Sequence, residues 1–364
     1  MKRIFAGMAA ALLAAVLLFP VKVQAVSARN AIMIDAKSGR VLFEKNPDKQ
    51  SLIASTTKIM TGLIICEQCN VLDRMRIPKE AVGIEGSSMY LKEGEVLTIQ
   101  ELLYGLMLQS GNDAAVALAI YGGGTVEGFV ELMNDKARSL GLRNTHFENP
   151  NGLDSPGHYS TARDLAVLSA YAMENPIFAK TVSTKQVRIG ERFLTNHNKL
   201  LWQVDGAEGI KTGYTKAAGR ILVSSTQRDD RRVIVVTINA PSDWKDHKAL
   251  VEDGFRDYTM QELVCVGEVL GTVDIFGGTK ASVELIAGED FSYPFRENET
   301  YEIVLQGPGF VYAPVSKGQE GGYAYVCMGD EIVGKIPLLY GDTVMQTKPP
   351  KVNLWKRLWK GAAQ

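Results

Sequence analysis

Two runs of aliphatic and β-branched residues, Arg220-Ile221-Leu222-Val223-Ser224-Ser225 and Arg232-Val233-Ile234-Val235-Val236-Thr237-Ile238, flank the polar pair Asp229-Asp230. That pattern predicts a β-hairpin late in the chain. A shorter hairpin is predicted near the start, where Ala31-Ile32-Met33-Ile34-Asp35 and Val41-Leu42-Phe43-Glu44 are joined by Ala36-Lys37-Ser38-Gly39-Arg40. Together they predict one antiparallel sheet made from the two ends of a single domain. The segments between have helical spacing, so helices are expected on the faces of that sheet, an α+β class.

Ile59, Met60, Leu63 and Ile64 recur at helical spacing and start a helix near Ser55. Thr98-Ile99-Gln100-Glu101 is a capping box that opens a helix through Leu102, Leu103, Leu106 and Met107, ending at Ser110-Gly111-Asn112. Asp113 to Ile120 is small and apolar, a buried helix stopped by Gly122-Gly123-Gly124. Asn149-Pro150-Asn151-Gly152 is a turn, Ser160-Thr161-Ala162-Arg163-Asp164 opens another helix, and Asp243 to Tyr258 is helical again. Beyond Gln261 only short strand-like runs separated by Gly and Pro remain: Ala281 to Ile286, Tyr301 to Leu305, Tyr323 to Cys327 and Glu331 to Leu339. They predict a separate all-β domain.

The two ends of the chain differ from the rest. Lys2 and Arg3 precede an apolar run from Ile4 to Phe19, and Val23-Gln24-Ala25 supplies small residues at a cleavage position. This is the pattern of a secretory signal, cut after Ala25, and it is short for a membrane span of about 20 residues. Losing Lys2, Arg3 and Lys22 takes the net charge from -1 to -4. The mature protein is therefore expected outside the cytoplasm. At the other end Leu354, Trp355, Leu358 and Trp359 share one helical stripe flanked by Lys351, Lys356, Arg357 and Lys360. A basic amphipathic helix with tryptophans suits the surface of an anionic membrane. The expected limits are a signal peptide at 1–25, a first domain at 26–259, a β-domain at 260–347 and an amphipathic anchor at 348–364.

Charge is near balance, with 40 Lys and Arg against 41 Asp and Glu, which gives no argument for a nucleic-acid partner. Four cysteines are too few for a disulfide framework in 364 residues. Cys66 and Cys69 form a Cys-x-x-Cys without a second ligand pair, and His146, His158, His197 and His247 have no ligand spacing. No metal and no cofactor are expected.

Ser55-Thr56-Thr57-Lys58 places a hydroxyl and an amine at i and i+3, on one helix face. A serine attacks only if a neighbouring base removes its proton, and a lysine is that base only when neutral. The pattern alone is weak. Ser242-Asp243-Trp244-Lys245 repeats it before another helix, where Ser242 reads as an N-cap. Likewise Lys37-Ser38-Gly39 in the first hairpin turn repeats Lys211-Thr212-Gly213.

The ordered set Ser55-Thr56-Thr57-Lys58, Ser110-Gly111-Asn112 and Lys211-Thr212-Gly213 resembles the three motifs of the penicillin-interacting serine enzymes. Further stretches resemble the low-molecular-mass D-alanyl-D-alanine carboxypeptidases: Ser110 to Ala115, Asn149-Pro150-Asn151-Gly152-Leu153, and His158 to Leu165. The resemblance implies a penicillin-binding-protein/β-lactamase-like domain, an antiparallel sheet flanked by helices, before the small β-domain and the amphipathic helix. It implies that Ser55 forms an acyl-enzyme with peptidoglycan stem peptides ending in D-Ala-D-Ala, and that β-lactams are covalent inhibitors. Lys58 would be the base, kept neutral by burial and by Lys211. Ser110 would relay a proton to the leaving amine, and Asn112 would bind the substrate amide. Lys211 and Thr212 would hold the terminal carboxylate. Gly213 would let the substrate backbone approach. The N–H groups of Ser55 and Tyr214 would form the oxyanion hole.

Two alternatives compete with this reading. A class A-like β-lactamase needs a deacylating glutamate in Glu-x-x-x-Asn, and no glutamate between Ser110 and Lys211 has Asn four residues on. The middle motif is Ser-Gly-Asn, not Ser-Asp-Asn. A non-catalytic sensor that binds peptidoglycan or β-lactams would have no use for the Ser, Lys and Ser set.

Overall fold

The computed structural model describes residues 26–348. The predicted leader, its cleavage site after Ala25 and the Trp355/Trp359 stripe lie outside the described residues. The chain divides into two compact units, one through Gly254 and one from Phe255.

The first unit opens with a hairpin of β1 (Asn30–Asp35) and β2 (Val41–Lys45). A 3-10 turn over Ala54–Thr57 leads into α1 (Lys58–Gln68). A short pair follows, β3 (Arg74–Arg76) with β4 (Val96–Thr98). Then come α2 (Ile99–Leu108), α3 (Asn112–Gly123), α4 (Val126–Ser139), α5 (Ala162–Met173) and α6 (Pro176–Ser183). A small hairpin pairs β5 (Gln186–Ile189) with β6 (Arg192–Thr195). The chain closes the sheet with β7 (Ala207–Thr215), β8 (Gly219–Arg228) and β9 (Arg231–Ile238), and continues into α7 (Asp243–Asp257).

The sheet has the order β2-β1-β9-β8-β7, so the first hairpin docks against the last. Ile32 faces Val236 and Ile34 faces Ile234 across the β1/β9 seam. All six residues of β1 are buried, which requires cover on both faces. Alternation supplies the two sets of contacts. Ile221, Val223, Ile234 and Val236 join the core with Ile59, Leu63 and Leu165. Their neighbours Ser224 and Thr237 point the other way, where His247 of α7 lies 2.7 Å from Ser224 Oγ and 2.9 Å from Thr237 Oγ1. Every residue of α1 from Lys58 to Cys66 is buried, as expected of a helix surrounded by others. The capping box of α2 forms as predicted: Glu101 N–H donates to Thr98 Oγ1 (3.1 Å) and Thr98 N–H to Glu101 Oε2 (2.7 Å).

The α-helix expected near Ser55 starts only at Lys58. Ala54 lies in the left-handed region (φ +44°), so the chain enters through a tighter turn and Ser55 rides on that turn.

In the second unit β10 (Thr259–Val264) pairs with β13 (Phe291–Phe295). The main sheet combines β11 (Val269–Phe276), β12 (Ser282–Ala287), β14 (Glu302–Gln306), β15 (Phe310–Tyr312), β16 (Glu320–Met328) and β17 (Glu331–Tyr340) in the order β14-β16-β17-β12-β11-β15. Val283, Leu285 and Ala287 alternate inward on β12, as Ile336, Leu338 and Tyr340 do on β17, and their core is all β.

Candidate active site

Several segments converge on one cleft of about 370 Å³, whose lining includes Ser55, Ser87, Ser110, His197, Thr212, Gly213 and Tyr214. The 3-10 turn brings Ser55, the α2–α3 junction brings Ser110, and the edge strand β7 brings Thr212 to Tyr214. Lys58, Asn112 and Lys211 lie buried beside them, with Lys58 0% and Lys211 1% exposed. The three motifs, spread over more than 150 residues of sequence, thus meet at one place. The decoys do not: Lys37, Ser242 and Lys245 are solvent-exposed, and of the Ser242 to Lys245 run only Asp243 and Trp244 line the cleft.

Lys58 Nζ has three neighbours: Ser55 Oγ at 3.1 Å, Asn112 Oδ1 at 2.6 Å and the backbone carbonyl of Asn151 at 2.6 Å. The two carbonyl oxygens can only accept, so they take two N–H groups. A neutral amine has two N–H groups and one lone pair, and the third direction leads to Ser55 Oγ. Burial, and after it the charge of Lys211, lowers the Lys58 pKa well below its usual value, while Asp113 acts the other way. Burial also pushes Lys211 down to about 7. The repulsion between the two amines is mutual and disfavours both being charged at once. A hydroxyl beside an unprotonated amine is a nucleophile with its base in place.

Asn112 begins α3 with its amide orientation fixed. Its Oδ1 accepts from Lys58, and its Nδ2 donates to Glu85 O at 2.5 Å, which leaves one N–H for another acceptor. Ser110 sits at φ +61°, a strained conformation that turns the chain between α2 and α3. The glycine between them has a packing cause: a Cβ on Gly111 would lie 2.7 Å from Asp113 Oδ1 and 3.3 Å from Gly105 O. Gly213 is constrained more mildly. Its Cβ would meet Ile53 O and Thr56 Cγ2 at 3.3 Å, so this glycine lets β7 press against the nucleophile turn.

Several groups here carry no sequence signal. Asp113 is buried and collects Ser88 Oγ–H (2.6 Å) and the N–H groups of Met89 and Leu91 (both 3.1 Å), stapling the 85–91 segment beside Ser110. His197 and Arg220 also line the cleft, and Arg220 is paired through two contacts with Asp243. The most consequential is Asn151. The turn predicted at Asn149 to Gly152 does form, closed by Gly152 N–H to Asn149 Oδ1 (2.7 Å), and it delivers carbonyls to α1. Asn151 O takes Lys58, and Pro150 O takes Thr61 Oγ1–H at 2.7 Å.

Gly152 makes that delivery possible. Its φ is +88°, and a Cβ there would sit 1.9 Å from Ala54 O. Gly152→Ala is expected to cost about 1–3 kcal/mol from the backbone conformation alone. It should also slow modification of Ser55 by withdrawing the Asn151 carbonyl from Lys58. Urea midpoints and penicillin adduct rates on the same preparation check both effects. A variant with wild-type values in both would refute the account of this turn.

Glu148, the acidic residue nearest the turn in sequence, is exposed and bonded to Ser155. Asp243 is the one carboxylate lining the cleft among the described residues, and Arg220 holds it. Among the described residues no group of three His, Cys, Asp or Glu could hold a metal. Cys66 and Cys69 are both free thiols, and burial pushes Cys66 up to about 12, far from the thiolate that redox chemistry needs.

Residues 19–242 match the D-alanyl-D-alanine carboxypeptidase family, and residues 258–346 match the penicillin-binding protein 5 C-terminal domain. The D-alanyl-D-alanine carboxypeptidase DacF of Bacillus subtilis is 32% identical over 328 residues, covering 85% of this chain and 84% of its own. DacC of Escherichia coli is 33% identical over 344 residues, covering 89% and 86%. Penicillin binding protein 5 from Haemophilus influenzae superposes with a TM-score of 0.78 at 29% identity, over 88% of this chain and 98% of that one. The Streptomyces K15 DD-transpeptidase matches 63% of this chain with a TM-score of 0.61 at 32% identity. This chain belongs to the D-alanyl-D-alanine carboxypeptidase family.

Proposed function

We propose that the protein removes the terminal D-alanine from peptidoglycan stem peptides through an acyl-enzyme on Ser55, and that penicillin acylates the same serine. The observation that carries this is the buried Lys58 amine, with two N–H groups taken by carbonyls and its third direction on Ser55 Oγ. Ser55 Oγ attacks the carbonyl carbon between the two D-alanines as its proton passes to Lys58. The N–H groups of Ser55 and Tyr214 hold the oxyanion. Ser110 relays the proton to the leaving amine, and D-alanine departs. Asn112 offers its remaining N–H to the substrate amide. Lys211 and Thr212 bind the terminal carboxylate, whose arrival restores the charge of Lys211. Gly213 keeps the floor of the cleft close. Water then releases the shortened peptide.

No unpaired carboxylate among the described residues lines the cleft, so deacylation rests on Lys58 and is slow for a penicilloyl ester, where the leaving group stays tethered. This favours trapping over β-lactamase turnover. Incubating the protein with a pentapeptide ending in D-Ala-D-Ala should release D-alanine. Binding without release would instead support a sensor.

In the same reading, residues 1–25 are a leader, 26–259 the catalytic domain, 260–347 the β-domain and 348–364 a peripheral anchor on the outer face of the cytoplasmic membrane. Deleting 349–364 is expected to move the mature protein from the membrane pellet to the soluble fraction. Continued pelleting would remove the anchor from the proposal.

A further inference from the structure

His158 is buried at 1% exposure, one shell behind the nucleophile turn. The N–H of Glu148 donates to its Nδ1 at 3.1 Å. A backbone N–H only donates, so Nδ1 carries no proton and the neutral ring holds its hydrogen on Nε2. That Nε2–H faces Thr57 Oγ1 at 2.7 Å, and Thr57 Oγ1–H in turn donates to Ala54 O at 2.9 Å. Burial lowers the pKa of the ring to about 4, which keeps this tautomer neutral. Phe147 packs edge-on against it at 5.7 Å. Thr57 is fully buried, and Ala54 is the strained residue immediately before Ser55.

The position of His158 in the chain matters as much as its bonds. It closes the loop that begins at Phe147 and Glu148 and runs through Asn151, the third partner of Lys58. One imidazole thus ties the turn that carries Ser55 to the loop that orients Lys58. Without the link, the Ala54–Thr57 turn can relax from its left-handed start, and the 3.1 Å approach of Lys58 Nζ to Ser55 Oγ loosens. A misplacement of about 1 Å between reacting groups can cost on the order of 10²-fold in rate.

We infer that His158 is a positioning residue for acylation, acting through Thr57 Oγ1 and Ala54 O to hold Ser55 against Lys58. The inference rests on Ser55 being the nucleophile. If that reading fails, wild-type protein gives no benzylpenicillin adduct on Ser55. If only this inference fails, the adduct forms and the variants below form it as fast as wild type.

The test is the second-order rate of benzylpenicillin acylation, by intact mass, on the full mature chain. His158→Leu removes both bonds and should slow acylation at least tenfold while the adduct still maps to Ser55. His158→Gln returns a donor to Thr57 and should recover most of the rate. Thr57→Val breaks the same chain at its next link and should slow acylation at least tenfold, with no further loss when combined with His158→Leu. Multiplying losses in the double variant, no recovery in His158→Gln, or a wild-type rate in Thr57→Val would each overturn the inference. Should His158→Leu fail to fold, His158→Gln and Thr57→Val alone decide.

Discussion

Ser55→Ala is expected to leave no covalent penicillin adduct and to lower D-alanine release on the order of 10⁶-fold, the usual cost of deleting a serine nucleophile from an intact site. The fold should survive. Ser55 is half-exposed on a 3-10 turn, and its Oγ has one short contact, to Lys58. Removing the hydroxyl leaves Lys58 with its two carbonyl acceptors, so no buried group loses its only partner. Intact-mass spectrometry after penicillin exposure reads the first effect, and a thermal melt within a few degrees of wild type reads the second. An adduct persisting in the variant would reassign the nucleophile.

Lys58→Ala is expected to slow acylation by about 10²–10⁴-fold, the range for a positioned general base. Here stability should fall as well. Asn112 Oδ1 and Asn151 O both lose a buried donor, at about 1–3 kcal/mol for each group left unsatisfied. Lys58→Arg separates charge from basicity. A guanidinium stays protonated at working pH and should not restore the rate. The pH profile gives a further check with a definite sign. Acylation needs neutral Lys58, so the rate rises as its proton leaves. Lys211 lowers the Lys58 pKa, so Lys211→Met should move the acid limb to higher pH. A limb that stays in place, or an active Lys58→Arg, would show that another group is the base.

The sequence exposed the parts of this molecule that depend on local pattern. The two hairpins, the capping box at Thr98 and the inward alternation on β12 and β17 all follow from neighbours within a few residues. The three motifs were readable because order distinguished them from Ser242/Lys245 and Lys37-Ser38-Gly39. What stayed hidden has a common cause. The Asn151 carbonyl that orients Lys58 is a backbone atom that any residue type would supply. Asp113 reads as one more acid at a helix start, until the fold brings it the N–H groups of Met89 and Leu91 from more than 20 residues away. The 3-10 turn at Ala54 depends on a left-handed residue that alanine rarely adopts, so helical periodicity ran straight through it. His158 looked like an unassigned histidine because its partners, Thr57 and Glu148, are set by tertiary contact.

The strand order β2-β1-β9-β8-β7 bears on how the protein reaches its active form. β1 finds its second neighbour only in β9, some 200 residues further on. Contacts of such sequence separation carry a high loop-closure cost and slow the search for the native state. β7, with Lys211 and Thr212, is held to the nucleophile turn through that same late sheet. A chain still missing Arg231–Ile238 therefore has Ser55 and Lys58 but no partner strand to finish the cleft. Reactivity toward penicillin should appear abruptly, with completion of the sheet, so labelling during refolding would track the last cooperative step rather than formation of the helices.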